Sequence, residues 1–328
     1  MEIRRIAMAY NNVYAVESGG VRVLIDTGPD YRGARELLLA SLGTWRPDVV
    51  LATHAHVDHA GLGAWWQANG VPVALSGDDR ALASHPHYVE QDELAVMVDW
   101  VEGSGAPDLI RAEAMEGLER RREWAIRAAS ETGYPPPGSQ PRWPTGLRYE
   151  SFVAGRTVAD GEEIAPGLEV LLCPGHTPGN LVVAANGHGV LFSGDQLLPD
   201  ITPTPAIQAA PGNASRFLSL PAFTAALERL RDLHFERCLP GHGEPFEDVD
   251  VAVEANLAAI EERTARVLAE LRAAGECTLY ELCERLYPRA LRRRFWQIAS
   301  TVQGHLDLLE ARGAAHAIAG RYRARTEE

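Results

Sequence analysis

Apolar positions in the first quarter of the chain switch between a period of two and periods of three to four. RRIAMAY (4–10), NVYAVES (12–18) and VRVLIDTG (21–28) predict three successive strands, with Gly19-Gly20 as the hairpin turn between the last two. GARELLLASL (33–42) has helical spacing. PDVVLATHAH (47–56) predicts a buried strand running into a loop, AGLGAWWQANG (60–70) a helix closed by Gly70, and VPVALSG (71–77) another strand. Residues 79–133 then turn helical and highly charged. They end in YPPPGSQPRWPTG (134–146), whose five prolines exclude regular structure. We read 79–146 as an inserted helical subdomain plus a stiff loop.

Strands resume with LRYESF (147–152), GLEVLLC (167–173), NLVVAAN (180–186) and HGVLFSG (188–194). A helix carrying Phe223, Leu227, Leu230 and Leu233 follows, then the strand ERCLPG (236–241). Beyond that the strand pattern stops. Val253, Leu257, Ile260, Val267 and Leu271 share one helical face, and Thr278 with Glu281 forms a capping box before Leu282 and Leu286. A third helix carries Leu291, Phe295, Ile298, Val302, Leu306 and Leu309, and residues 313–325 alternate like a hairpin around Gly320. The pattern predicts a body over 1–248 and a small winged-helix-like module over 249–328.

Charge narrows the chemistry. All 31 basic residues are Arg, which removes lysine Schiff bases, P-loop lysines and lysine general bases. The net charge of −14 is uneven: residues 251–328 hold 12 Arg against 11 acids, and the rest of the chain carries the whole deficit. An acidic body repels phosphate backbones and anionic membranes, so nucleic acid and membrane partners are not expected. The four Cys form no CxxC pair, LVVAA at 181–185 is far too short to span a bilayer, and no secretory signal is visible. These features predict a soluble cytoplasmic protein.

The strongest chemical signal is Thr53-His54-Ala55-His56-Val57-Asp58-His59-Ala60-Gly61, directly after a predicted strand. In a chain of this length and composition, chance would produce HxHxDH about 6 times in 10,000. Three more groups stand where apolar runs end: His176 after EVLLCPG, Asp195 after GVLFSG and His242 after FERCLPG. Strand carboxyl ends at one sheet edge are where open α/β folds place ligands. Five His and two Asp delivered there are a ligand set for two borderline-soft divalent cations.

At these residues the chain resembles the metallo-β-lactamase-fold hydrolase superfamily. THAHVDHAG matches its HxHxDH signature, GHTPGN its third histidine motif, SGDQ its bridging aspartate and PGHG its last histidine. The resemblance covers residues 1–248 and implies an α/β fold, the four-layer αββα sandwich. It further implies that His54, His56 and His176 bind one metal, Asp58, His59 and His242 the other, and that Asp195 bridges them. Asp26 would be the aspartate behind the metal shell that orients a ligand. Two zinc ions are implied, in a site whose ligands would also take Mn or Fe. The residues SGDQLLP (193–199) and 201–203 look like a bacterial branch of metallo-hydrolases, and some branches append a winged helix. Asn180 departs from the family, which often has His there, and bears on pocket polarity.

The implied reaction is attack of a metal-bridged hydroxide on a small thioester, as in the glyoxalase II relatives, or a lactone. Lowering the pKa of water from 15.7 towards ~7 is worth roughly 12 kcal/mol, against about 3–5 kcal/mol for a general base alone. Metals therefore dominate, and Asp58 would orient the nucleophile and protonate the leaving group. The competing readings are an endoribonuclease or phosphodiesterase that docks RNA with the C-terminal module, a non-catalytic metal protein, and an iron-dependent persulfide dioxygenase. For the module itself we expect pocket closure or a homodimer contact. Cys173, His85, His87, Trp65, Trp66, Arg289 and Arg292 to Arg294 are weaker candidates, and His188, His234, His305 and His316 read as structural.

Overall fold

Strands β1 (Glu2–Ala7), β2 (Asn12–Ser18) and β3 (Val21–Ile25) form the expected antiparallel meander. Its second turn is Gly19-Gly20, both at positive φ (58° and 82°), the backbone a two-residue hairpin requires. The computed structural model describes residues 1–85, 91–130, 134, 146–199, 205–212 and 215–325. From β3 the sheet continues in parallel through β4 (Val49–Leu51), β5 (Val73–Ser76) and β6 (Arg156–Val158). All three residues of β4 are buried, as befits a parallel strand covered on both faces.

The second sheet has the order β12-β11-β10-β9-β8-β7, from β7 (Glu163–Ala165), β8 (Leu168–Leu172), β9 (Leu181–Ala185), β10 (Val190–Gly194), β11 (Arg237–Pro240) and β12 (Phe246–Glu247). Tyr14, Val23, Ile25 and Leu51 of the first sheet meet Val170, Val183 and Phe192 of the second in one buried cluster. The outer face of the first sheet is covered by α1 (Ala34–Leu42) and α3 (Gly63–Ala68), through Leu38, Leu42 and Trp66. That of the second is covered by α7 (Ser219–Arg231) and α8 (Val249–Ala274), through Phe223, Leu227, Val253 and Ile260. The result is the αββα sandwich.

Three sequence expectations shift. Residues 147–152 form no regular strand, only an isolated bridge from Arg148 to Asp30; Leu147, Tyr149 and Phe152 are buried as plugs in the first sheet's outer core. Helix α7 ends at Arg231, so Leu233 lies past it and is exposed. The helical region after 77 is not a separate unit either. Its first helix, α4 (Gly77–Ser84), belongs to the sandwich. The next two, α5 (Gln91–Gly103) and α6 (Asp108–Ala128), share a core with α9 (Leu279–Leu286) and α10 (Phe295–Ala311), where Trp100, Ile110 and Leu118 meet Leu282, Phe295 and Val302. Residues 135–145, the proline-rich loop, lie outside the described residues.

Past the sandwich, α8 is followed by β13 (Glu276–Thr278), α9, α10, β14 (Ala315–Ile318) and β15 (Arg321–Ala324), with β15 between β13 and β14. The capping box at Thr278 and Glu281 is present. Helix α10 is buried along most of its length, packing on α6, α7, α8 and α9. Among the described residues no helix is long and apolar enough to cross a membrane.

Candidate metal centre

Strand direction explains why distant residues meet. β9 runs antiparallel to both β8 and β10, and β11 is parallel to β10, so β8, β10 and β11 end at one edge. His176, Asp195 and His242 follow those three ends. The first sheet joins at the same edge, where Leu181 N donates to the carbonyl of Thr53 at 2.9 Å. His54 to His59 form the loop and short helix α2 (Val57–Ala60) after β4.

All seven predicted residues converge, and their donor atoms fall into overlapping triads. His56 Nδ1 lies 3.0 Å from His54 Nε2 and 2.9 Å from His176 Nε2. His242 Nε2 lies 3.3 Å from His59 Nε2 and 3.2 Å from Asp58 Oδ2. Two donors held at about 2.0–2.1 Å by one tetrahedral ion stand ~3.3 Å apart. The donor set therefore fits divalent cations in spacing as well as in kind. Asp195 lies between the triads, its Oδ2 3.4 Å from Nε2 of both His176 and His242. Its Oδ1 is buried without a hydrogen-bond partner, although His59 Nε2 is 3.3 Å away and off the bonding direction. A buried carboxylate oxygen left in this way is what a cation would satisfy.

The ring nitrogens are aimed by what stands behind them. Asp26 Oδ1 accepts from the Thr53 amide at 2.8 Å and hydroxyl at 2.9 Å, while Oδ2 takes His59 Nδ1 at 2.7 Å. Thr53 Oγ1 in turn sits 3.0 Å from His54 Nδ1. One carboxylate thus fixes one imidazole in each triad with Nε2 inward, the arrangement that raises ligand affinity. Asp26 adopts φ 65° to do so, a backbone region costly for a non-glycine residue. On the far side, His242 Nδ1 donates to the carbonyl of Tyr10 at 2.5 Å.

Sequence reading missed Asp79. This wholly buried carboxylate accepts from Ala55 N (2.8 Å) and Thr177 Oγ1 (2.8 Å) at one oxygen, and from Gly179 N (2.7 Å) at the other. It ties the loop carrying His54 and His56 to the loop carrying His176. An acid in the first turn of α4 reads as a solvated helix-start charge; only the tight approach of Gly179 to Ser76 and Asp79 betrays it. Gly241 is a second such position, since a Cβ there would stand 2.7 Å from both Asp195 Oδ1 and His59 Cε1.

Charge divides the cluster. Burial, then repulsion from His59, His56 and His176, holds the His54 pKa well below the ordinary imidazole value, and burial lowers that of His176. At His59 burial opposes protonation, yet Asp26, Asp195 and Asp58 outweigh it and raise the pKa well above ordinary. His242 is likewise raised to about 10, burial being overcome by Asp195 and Asp58. Burial alone would raise the Asp195 pKa, but His59, His242 and His176 hold it well below the usual carboxylate range. The carboxylates thus attract positive charge to one spot, and a cation bound there must displace protons.

The weaker candidates stay outside the centre. Cys173 is buried and its thiol is pushed up to about 12 by desolvation, which keeps it protonated and unreactive. Trp66 is core, donating to the carbonyl of Thr27, and Trp65 packs at its edge. Asn180 is wholly buried and donates to the Cys173 carbonyl, so it supports the loop. His85 is exposed at the end of α4, and His87 lies outside the described residues, as do 201–203. Arg289, Arg293 and Arg294 are exposed, and Arg292 pairs with Glu113 at 3.7 Å. His188 is exposed, His234 pairs with Asp250, and His305 is buried against Thr264. His316 is half-buried in β14.

Comparison with known proteins agrees with this geometry. A probable metallo-hydrolase, YqjP of Bacillus subtilis (strain 168), is 27% identical over 310 residues, 92% of this chain and 88% of its own. The crystal structure of the metallo-β-lactamase family protein TTHA1429 from Thermus thermophilus is 27% identical, with a TM-score of 0.70 over 99% of this chain and 98% of that one. A β-lactamase domain protein from Burkholderia ambifaria shares the fold, with a TM-score of 0.69 at 19% identity over 98% of this chain and 92% of its own. Both 27% relatives extend past residue 248, so their likeness includes the C-terminal helices. The metallo-β-lactamase superfamily model matches residues 9–242, and the chain belongs to that superfamily as a metal-dependent hydrolase.

Proposed function

We propose that the chain is a dinuclear zinc hydrolase of a small ester-like substrate, a thioester or a lactone. Asp195 carries the two-ion reading: one of its oxygens faces a histidine of each triad, and the other is buried beside His59 Nε2 at 3.3 Å without a hydrogen bond. His54, His56 and His176 would hold one ion and Asp58, His59 and His242 the other. Imidazole and carboxylate donors without thiolate suit zinc. When bound, the pair would supply a nucleophile at neutral pH by lowering the pKa of water towards ~7, and would polarise the carbonyl.

The remaining work falls to side chains. Asp58 presents Oδ2 to His242 and His59, which leaves its second oxygen to accept the proton of the attacking water and return it to the leaving group. Asp26 and Asp79 keep the imidazoles in place without reorganisation during the reaction. A small substrate is favoured over RNA by the net charge of −14 and by α10, whose burial leaves it no open face for a groove. The test is a hydrolysis panel on zinc-loaded protein. Turnover of thioesters or lactones is expected; cleavage of single-stranded RNA or phosphodiesters, with the esters untouched, would replace this reading with the nuclease one.

A further inference from the structure

We infer that the C-terminal helix α10 belongs to the support of the metal centre. Through the pair Arg216–Asp307 it positions His176, and so sets the affinity for the ion that His54, His56 and His176 would hold. That role rests on the metal-centre reading above. Three imidazoles of the centre are aimed from behind: His54 has Thr53 Oγ1 at Nδ1, His59 has Asp26, and His242 has the Tyr10 carbonyl. His176 differs. Its approaches to His56 and Asp195 both run through Nε2, and among the described residues no hydrogen bond reaches its Nδ1. Without a partner behind the ring, its direction is set by the main chain that carries it.

Two side chains from the strip 205–219 grip that main chain. Ser219 Oγ donates to the carbonyl of Gly175 at 2.6 Å, and Gln208 Nε2 to that of His176 at 3.4 Å. By distance the serine bond is the stronger of the two. Gly175 lies close against α7: its φ is 148°, and a Cβ there would stand 2.4 Å from Phe223 Cα. Asp79 holds the following residues, at Thr177 and Gly179. His176 is thus bracketed, by a carboxylate of α4 on one side and by the strip on the other.

The strip folds back on itself through an isolated bridge between Ala209 and Arg216 and a bond from Phe217 N to the Gln208 carbonyl at 2.9 Å. Gln208 and Arg216 therefore belong to one unit, and α10 fastens it at two points. Arg216 donates to both oxygens of the buried Asp307, at 2.5 and 2.6 Å. Nearly one turn earlier, Gly304 lets Pro205 and Leu220 close in, where a Cβ would meet them at 2.7 and 3.1 Å. Asp307 is itself fixed, accepting from Gln303 Nε2 at 2.8 Å. Gln303 Oε1 in turn takes Trp100 of α5 at 3.2 Å and Tyr322 of β15 at 3.1 Å. A two-pronged guanidinium–carboxylate pair fixes direction as well as distance, which a single contact does not. The bonds run without a gap from α10 through Arg216 and the strip to the carbonyls of Gly175 and His176.

Zinc titration of the full-length protein by calorimetry tests this, as a double-mutant cycle with His176→Ala. Asp307→Asn should weaken one zinc step about tenfold, the low end for a partner behind a ligand, and leave the other step intact. In the His176→Ala background the same change should weaken zinc no further, because the residue it acts through is gone. Val302→Ala, which trims the core that α10 shares with α5, α6 and α9, should leave both steps as in wild type. Should Asp307→Asn not fold, Arg216→Lys, which keeps the charge without the two-pronged bond, carries the same cycle. No weakening, or equal weakening with and without His176, would overturn the inference while the metal centre stands. A like loss in Val302→Ala would do the same, since any loosening of the module would then suffice. A single zinc step in wild type, weakened by Asp307→Asn only when His176 is present, would fail the dinuclear reading and keep the inference. Zinc binding untouched by His176→Ala would remove His176 from the centre and fail both.

Discussion

Thr177 and Asp79 lie 98 positions apart, yet the threonine hydroxyl donates to the aspartate at 2.8 Å in a fully buried setting. The same carboxylate receives Ala55 N and Gly179 N, so three donors from two loops share one acceptor. Asp79→Asn turns one of those oxygens into a donor facing a donor. We expect the His54, His56 and His176 triad to lose its register, with ten- to hundredfold weaker metal binding there. The Asp58, His59 and His242 triad, fixed by Asp26 and Tyr10, should keep its ion. Zinc titration by calorimetry should show one step weakened and one intact; two unchanged steps would show that Asp79 is only packing.

The shared core of α5, α6, α9 and α10 makes a prediction about truncation. Cutting after residue 248 uncovers Trp100, Ile110 and Leu118, together with the faces of Phe223 and Leu227 that meet α8. Five such side chains left exposed would cost about 8–15 kcal/mol, comparable to the whole stability margin of a domain. Residues 1–248 alone should aggregate or bind a hydrophobic dye. A monomeric fragment melting with the full-length protein would contradict this.

Acid should destabilise the C-terminal helices through His305. Free, the ring titrates near 6.5; in the fold, burial and then Arg263 push it down to about 4. Between those values the unfolded chain binds a proton that the folded chain excludes, so stability is whole above the upper value and falls as pH drops towards the lower. The loss is roughly 2–3 kcal/mol between pH 7 and pH 4.5. The stability difference between wild type and His305→Gln, from denaturant melts, should shrink by that amount over that range. A difference independent of pH would show that His305 is not held neutral.

The candidate centre was legible because each metal-type residue follows a continuous apolar run, and parallel strands must end together. His54, His176, Asp195 and His242 needed no more than that. Asp79 was not legible, because its partners are backbone amides on loops whose approach no local pattern encodes. Residues 147–152 alternate like a strand but have no neighbouring ladder to join, since β6 already pairs with β5 further along. The charged helices read as an insertion because their apolar stripe, Ile110, Ala114 and Leu118, finds its partners only some 170 residues later.

Asp195 between two triads is the feature on which the whole reading turns, and metal content tests it most directly. Protein purified without chelator and dialysed against zinc should hold about two ions per chain by elemental analysis. Asp195→Asn should lower the affinity of both together, because the same carboxylate faces His176 and His242. One ion per chain persisting at saturating zinc, or an Asp195→Asn variant that loses a single ion and binds the other normally, would contradict the dinuclear centre.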